Sequence, residues 1–253
     1  MTLQSDPKSQ LVVFADLDDT LFQTLKKRNV PGLMPAGVGR DGLPLSYACP
    51  KQQKLLKCLL DQGTVIPTTA RNYESFKRVQ IAFSSFVILN FGATLLNPDG
   101  TLNEEWHERM SSQARAHGDM LAAQFEASKA FNALHNLGLN IRLISDFGQA
   151  WYLLVKHMSH DESQIDILQR EWERAPAPGF TLRRNGNNLT LSPDFFDKKH
   201  AVQEVATRFF NPDLDVFMGM GDSLSDFDFM SACDFLVIPS QSQLHTAFSG
   251  STV

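Results

Sequence analysis

Leu11-Val-Val-Phe-Ala-Asp-Leu-Asp-Asp-Thr20 is the stretch on which the reading of the whole chain turns. Residues 11–15 are unbroken apolar, the pattern of a strand covered on both faces, and such strands belong to parallel sheets. The run stops abruptly at Asp16, so the polar residues 16–20 form a loop at the strand's carboxyl end. Working outward, a Leu- and Lys-rich segment over 50–61 reads as a helix, 64–67 and 86–89 as short strands, and Asn97-Pro-Asp-Gly100 as a turn. Residues 198–210 read as a helix, 215–218 as a strand, 224–231 as a short helix and 235–238 as a last strand. Strands alternating with helices predict an α/β fold, a parallel sheet with helices on both faces.

The middle of the chain has a different rhythm. A long helix is expected over 103–137, with Asn103 as N-cap, Glu104 and Glu105 in the first turn and Gly138 at the end. Strands over 141–145 and 151–157, a helix over 162–174, and a hairpin of 180–184 with 188–192 around Asn185-Gly-Asn follow. Helix, two strands, helix, two strands describes a small α+β domain set into the first. Residues 31–44 carry three prolines and four glycines, which predicts a long loop leaving the first strand at its Asp16 end. The Ser- and Gln-rich end from Ser240 is expected to be a poorly packed tail.

Composition sets the function class. The chain has 253 residues, 28 Asp and Glu against 23 Lys and Arg, and a formal charge of -5. After Arg208 there is no Lys, Arg or Glu, while Asp213, Asp215, Asp222, Asp226, Asp228 and Asp234 fall there. Without a basic face the chain is a poor binder of nucleic-acid phosphates. No stretch reaches the roughly 18 apolar residues of a membrane span. The N-terminus lacks an apolar signal-type core, and Cys49, Cys58 and Cys233 have no short-spaced pair, which fits reduced, mostly buried thiols in a cytoplasmic protein.

Four polar clusters fall at strand ends, where open parallel sheets bind ligands: Asp16 to Thr20, Thr68-Thr-Ala-Arg71, Lys198-Lys199 and Gly219-Met-Gly-Asp-Ser-Leu-Ser-Asp226. Carboxylates at Asp16 and Asp18 repel at an apolar strand end unless a cation offsets them or one is protonated. With a cation bound, Asp16 could attack a phosphoryl group and a protonated Asp18 could serve the leaving oxygen. Asp222 beside Asp16 would suit Mg²⁺, which is held by one or two carboxylates plus substrate phosphate. Asp226, four residues on, shares the start of the same short helix. Thr69 and Lys198 offer a hydroxyl and an ammonium to the equatorial oxygens of a phosphoryl group in transfer.

In their order and spacing, Asp16, Asp18 and Thr20, then Thr69, then Lys198, then Asp222 and Asp226 resemble the four motifs of the haloacid dehalogenase superfamily of phosphohydrolases. Lys198 is favoured over Lys199 by the register of the following Ala201-Val202. The resemblance implies a Rossmann-like parallel-sheet core made of residues 1–102 and 194–253. The insert, 103–193, is similar to the α+β cap of the type IIB subfamily, which includes sucrose-phosphate, mannosyl-phosphoglycerate and Cof-type sugar phosphatases. It further implies Asp16 as nucleophile and Asp18 as general acid and base. Mg²⁺ would be bound by Asp16, the Asp18 carbonyl and Asp222, with Asp226 supporting, and Arg71 would contact substrate. The sequence departs from the family pattern at Asp19, Ala70 and Ser225, and Asn90-Phe-Gly-Ala differs from the usual Asn-Gly-Ala.

The expectation is thus a Mg²⁺-dependent phosphatase, monomer or homodimer, acting on a small phosphate ester such as a sugar or sugar-acid phosphate. A phosphomutase like the phosphomannomutases of the same superfamily is the alternative. It would need extra cations in the insert, for which Arg142, Lys156, Arg183 and Arg184 are candidates. His107, His117, His135, His157 and His160 form no metal-site spacing, and Trp106, Trp151 and Trp172 read as core.

Overall fold

The computed structural model describes residues 9–24 and 29–250. The chain divides into two compact units, Met1–Asn103 with Asp197–Val253, and Glu104–Phe196.

In the first unit β1 (Leu11–Ala15) is fully buried after Leu11. The chain then builds β2 (Gln23–Thr24), β3 (Met34–Val38) and β4 (Pro44–Ala48), an antiparallel sheet in the order β2-β4-β3. This corrects the expected loop over 31–44. Pro35 lies on an edge strand and Pro44 opens its strand, the two places where a missing N–H is tolerated, and the ladder is irregular at Gly37. The density of prolines and glycines marks an irregular sheet instead of the absence of one.

Next come α1 (Pro50–Gln62), β5 (Gly63–Pro67), α2 (Tyr73–Phe76), β6 (Val87–Leu89) and β7 (Thr94–Leu96). The strand expected over 86–89 is therefore present, but it pairs antiparallel with β7 and meets the β5 end through the single parallel bridge Thr68 to Ile88.

The second unit contains α3 (Glu104–His135), β8 (Leu139–Asp146), β9 (Gln149–His157), α4 (Glu162–Arg174), β10 (Phe180–Asn185) and β11 (Asn188–Pro193). Its sheet is antiparallel in the order β10-β11-β9-β8. One face supplies Leu139, Leu153, Val155, Leu189 and Leu191 to a core completed by Leu121 of α3 and Ile165, Leu168 and Trp172 of α4. Trp106, Trp151 and Trp172 are all buried, as the sequence suggests. By register Arg142, Lys156 and Arg183 fall on the opposite face, whereas Arg184 pairs with Glu162 and Asp166 of α4. His107 and His117 pack against aromatic rings, and the His157 ring accepts the Asp161 N–H.

The chain returns to the first unit with α5 (Lys198–Phe209), β12 (Val216–Met220), α6 (Leu224–Met230), β13 (Phe235–Val237) and α7 (Gln243–Ser249). The main sheet is parallel throughout, in the order β13-β12-β1-β5. Apolar β1 lies at its centre because only an interior position covers both faces of the strand. Two of the acidic residues after Arg208 are structural acceptors: Asp215 takes the N–H groups of Gln10 and Asn211, and Asp234 that of Phe217. All three cysteines are free, Cys49 buried and Cys58 exposed, while burial beside Asp234 pushes the Cys233 thiol up to about 12.

Helix α7 corrects the expected loose tail. Ser242 caps it by accepting the His245 N–H, Gln243 Oε1 accepts the Leu224 N–H, and Leu244 is fully buried. Truncation of Leu244 to Ala is therefore expected to destabilise the protein by about 2–5 kcal/mol. Chemical denaturation checks this, and a loss below about 0.5 kcal/mol, the range of an exposed site, would return the segment to a tail.

Candidate active site

The parallel ladder carries one residue past the strands on each side of β1. Asp16 N–H donates to Met220 O (2.8 Å), Thr68 N–H to Ala15 O (2.8 Å) and Gly221 N–H to Val237 O (3.3 Å). These bonds align the carboxyl ends of the four neighbouring strands β13, β12, β1 and β5, so Asp16, Thr69 and Asp222 arise from adjacent points on one edge. Gly221 has a local reason for its identity: a Cβ there would lie 2.5 Å from Asp226 Cβ, because α6 turns back directly over the strand end. Ser223 then starts α6 with a reciprocal cap, its N–H and hydroxyl both donating to Asp226 Oδ2 at 3.0 and 2.7 Å.

Asp16, Asp222 and Asp226 are buried and can bring one oxygen each within 4.8 Å of one another. Lys198, the first residue of α5, is 4% exposed and places Nζ 2.6 Å from Asp16 Oδ1 and 2.6 Å from Asp226 Oδ1, over the ring of Phe229. Lys198, and not Lys199, is thus the ammonium of the cluster. The Thr20 hydroxyl donates to Asp222 Oδ1 at 3.4 Å.

One ammonium does not balance three carboxylates, and the electrostatics record the deficit. Burial holds the Asp16 carboxyl well above the usual carboxylate range; Lys198 opposes this, and Asp226 and Asp222 add to it. For Lys198, burial acts to lower the pKa, but Asp16 and Asp226 outweigh it and hold the ammonium above its ordinary value. The two raised values describe one cluster that favours gaining positive charge, by proton or by cation. The donor set is all oxygen and buried, which fits a hard divalent cation.

Asp18 stands apart from this cluster. It is exposed, and Arg71 holds it in a bidentate pair, Nε to Oδ2 and Nη2 to Oδ1 both at 2.7 Å. Burial disfavours the Arg71 cation, but the hydrogen bonds and charge of Asp18 raise its pKa overall. Arg71 Nη1 also donates to Ser75 O, and the guanidinium lies 5.3 Å from the ring centre of Phe22. Thr69 is 1% exposed; its N–H donates to Ile88 O and its Oγ1 accepts the Arg71 N–H.

The sequence reading passed over several supports of this edge. Leu244 N–H donates to Asp222 O at 2.9 Å, tying α7 to the carboxylate loop. The Ser223-to-Asp226 spacing is a recognisable cap signature, and Ser242 before Gln-Leu-His is a weaker one. The turn Asn90–Gly92, which hydrogen-bonds to Thr69 and Arg71, carries no comparable signal.

Compared by sequence, the chain matches no protein-family model and no curated protein. Its fold is shared with solved phosphatases. Sucrose-phosphatase from Synechocystis, in complex with sucrose and phosphate, superposes with a TM-score of 0.56 at 19% identity, over 95% of this chain and 87% of that one. The C-terminal domain of Candida albicans trehalose-6-phosphate phosphatase gives 0.58 at 14% identity, over 89% and 73%. A Thermoplasma acidophilum protein gives 0.51 at 16%, over 90% and 91%. At these identities the likeness establishes the fold: a parallel-sheet α/β core with a second α+β unit.

A carboxyl whose folded pKa is raised contributes stability below its unfolded value and loses it as pH rises through the folded one. In EDTA, Asp16→Asn and the parent protein should therefore differ least below about pH 3, where Asp16 is protonated in both states. By about pH 8 the variant should melt higher, by about 2–4 °C for each kcal/mol of relieved repulsion. Thermal melts across that range check the difference; a gap independent of pH would contradict the charge deficit at Asp16.

Proposed function

We propose that the chain is a Mg²⁺-dependent phosphoric monoester hydrolase of the haloacid dehalogenase superfamily, with residues 1–102 and 194–253 as catalytic core and 103–193 as a type IIB cap. The observation that carries this reading is the cluster of three buried carboxylates and one buried ammonium at the carboxyl edge of the parallel sheet. The shared fold with sugar phosphatases supports it.

In this reading Asp16 is the nucleophile. A carboxylate oxygen of Asp16 attacks phosphorus, the bond from phosphorus to the ester oxygen breaks, and Asp18 delivers a proton to the departing alkoxide. Asp18 then takes a proton from water as the water oxygen attacks phosphorus, the aspartyl-phosphate bond breaks, and Asp16 returns to a carboxylate with inorganic phosphate released. Lys198 and the Thr69 hydroxyl hold the equatorial oxygens throughout. Mg²⁺, held by Asp16, the Asp18 carbonyl and Asp222 with Asp226 supporting, would supply the positive charge that lets an anionic phosphoryl group approach buried carboxylates.

Arg71 has two connected duties in this scheme. It pairs with the Asp18 carboxylate while the aspartyl phosphate stands, after the proton has gone to the alkoxide. Once Asp18 carries a proton the ion pair weakens, and the guanidinium is freed toward the substrate. The exposure of Asp18, 51% of its side chain, suits a group that must reach a leaving oxygen.

The substrate is a small phosphorylated metabolite, a sugar or sugar-acid phosphate, and the chain works as a monomer or homodimer in a reducing, cytoplasmic compartment. Among the described residues no helix is long and apolar enough to cross a membrane. Hydrolysis is preferred to phosphoryl return because one of the four candidate cap cations, Arg184, is already engaged by Glu162 and Asp166.

A panel of sugar phosphates, sugar-acid phosphates and nucleotides, assayed for released phosphate with Mg²⁺ and with EDTA, tests the reading. Turnover should require Mg²⁺, and Asp16→Asn should reduce it by at least about 1,000-fold, as loss of a nucleophile does. Undiminished turnover in that variant would sink the assignment, and isomerised sugar phosphate in place of free phosphate would favour the mutase.

A further inference from the structure

We infer that Gly92 is a positioning residue for Lys198: the turn Asn90–Gly92 sets, by backbone contact alone, where the Lys198 ammonium stands between Asp16 and Asp226. The turn joins β6 to β7 with three successive positive φ values, 52° at Asn90, 56° at Phe91 and 101° at Gly92. Two of these fall on residues other than glycine, a conformation that persists only where its surroundings hold it. On one side they do so by hydrogen bonds. The Asn90 N–H donates to Arg71 O (2.9 Å), the Phe91 N–H to Thr69 O (3.2 Å) and Asn90 Nδ2 to Thr94 Oγ1 (3.0 Å).

On the other side Gly92 lies directly against the Asp197–Lys198 peptide. A Cβ at position 92 would stand 2.1 Å from the Asp197 carbonyl oxygen, 2.7 Å from its carbon and 3.2 Å from Lys198 N. Backbone atoms cannot swing aside as the end of a long side chain can. Admitting a Cβ therefore means moving the turn or moving the start of α5. Lys198 is the first residue of α5, and a shift of its Cα carries with it an ammonium now 2.6 Å from two carboxylates. The hydrogen bonds to the Thr69 and Arg71 carbonyls anchor the turn on its far side, so the start of α5 is the side that yields. Gly92 touches neither reacting atoms nor substrate; its effect passes through Lys198, and the inference rests on the function proposed above.

A double-mutant cycle with Lys198→Ala tests it. Gly92→Ala should lower kcat/KM by about 100-fold with Lys198 present, the scale of a displacement near 1 Å in a catalytic group. With Lys198→Ala the same change should cost less than about threefold. Equal penalties in both backgrounds would overturn the inference, since a merely structural role does not depend on residue 198. Should Gly92→Ala not accumulate as folded protein, Asn90→Ala carries the same cycle. It loosens the turn without setting an atom against Asp197, with an expected loss of about tenfold. A crystal structure of the variant used gives a readout independent of turnover. Lys198 Nζ must leave hydrogen-bond reach of Asp16 or Asp226, and both contacts intact would overturn the inference. A parent protein that hydrolyses no ester, with Lys198 displaced in the variant, would count against the proposed function alone.

Discussion

One buried ammonium facing three buried carboxylates is the constraint around which the first unit is organised. Two like charges about 5 Å apart, at the effective dielectric of a protein site, repel by roughly 3 kcal/mol, and Asp16, Asp222 and Asp226 are that close. A fold does not keep such a cluster for stability, since apolar residues of similar volume would serve at least as well. The neighbouring elements hold the carboxylates together regardless: Ser223 fixes Asp226, α7 fixes the Asp222 carbonyl, and the β1 ladder fixes Asp16. The repulsion is stored where positive charge can relieve it, which is the behaviour expected of a binding site and not of a core.

The fold makes this possible through alignment. Parallel strands in register end together, so a polar residue placed just after each apolar run arrives on the same edge. Asp16, Thr69 and Asp222 reach the site in this way from β1, β5 and β12. Lys198 comes from elsewhere, as the first residue of a helix, and its position depends on what the helix start rests against. Asp18 is a different case again. It is held outside the cluster by Arg71, so the two aspartates of the first loop, two residues apart, have different partners, although Asp16 also acts on the Arg71 charge. Division of labour between paired carboxylates has this physical basis: one is buried and drawn toward a proton or a metal, the other exposed and held by a guanidinium.

Much of this was legible in the sequence because it is encoded locally. An apolar run that ends in Asp16 announces a buried strand with a carboxylate at its end, and Gly-Asp-Ser-x-x-Asp announces a strand-to-helix turn. What could not be read depends on contacts between distant segments or on short elements. The pairing of Asp18 with Arg71 spans 53 positions, and nothing near either residue signals it. The contact of Gly92 with Asp197 is backbone against backbone and has no side-chain signature. The small sheet at Met34–Val38 and Pro44–Ala48 was hidden by prolines that sit where a sheet tolerates them, β7 by its three-residue length, and α7 by a composition shared with disordered tails.

The central claim is that the carboxylate on the middle strand becomes covalently phosphorylated during turnover. Rapid quenching of the protein during steady-state hydrolysis of an ester it accepts, followed by borohydride reduction and peptide mass spectrometry, addresses this directly, because reduction converts an aspartyl phosphate to homoserine. The account predicts homoserine at position 16 and at no other aspartate. Phosphate release with residue 16 recovered only as aspartate, or homoserine at Asp18, Asp222 or Asp226 in its place, would contradict it.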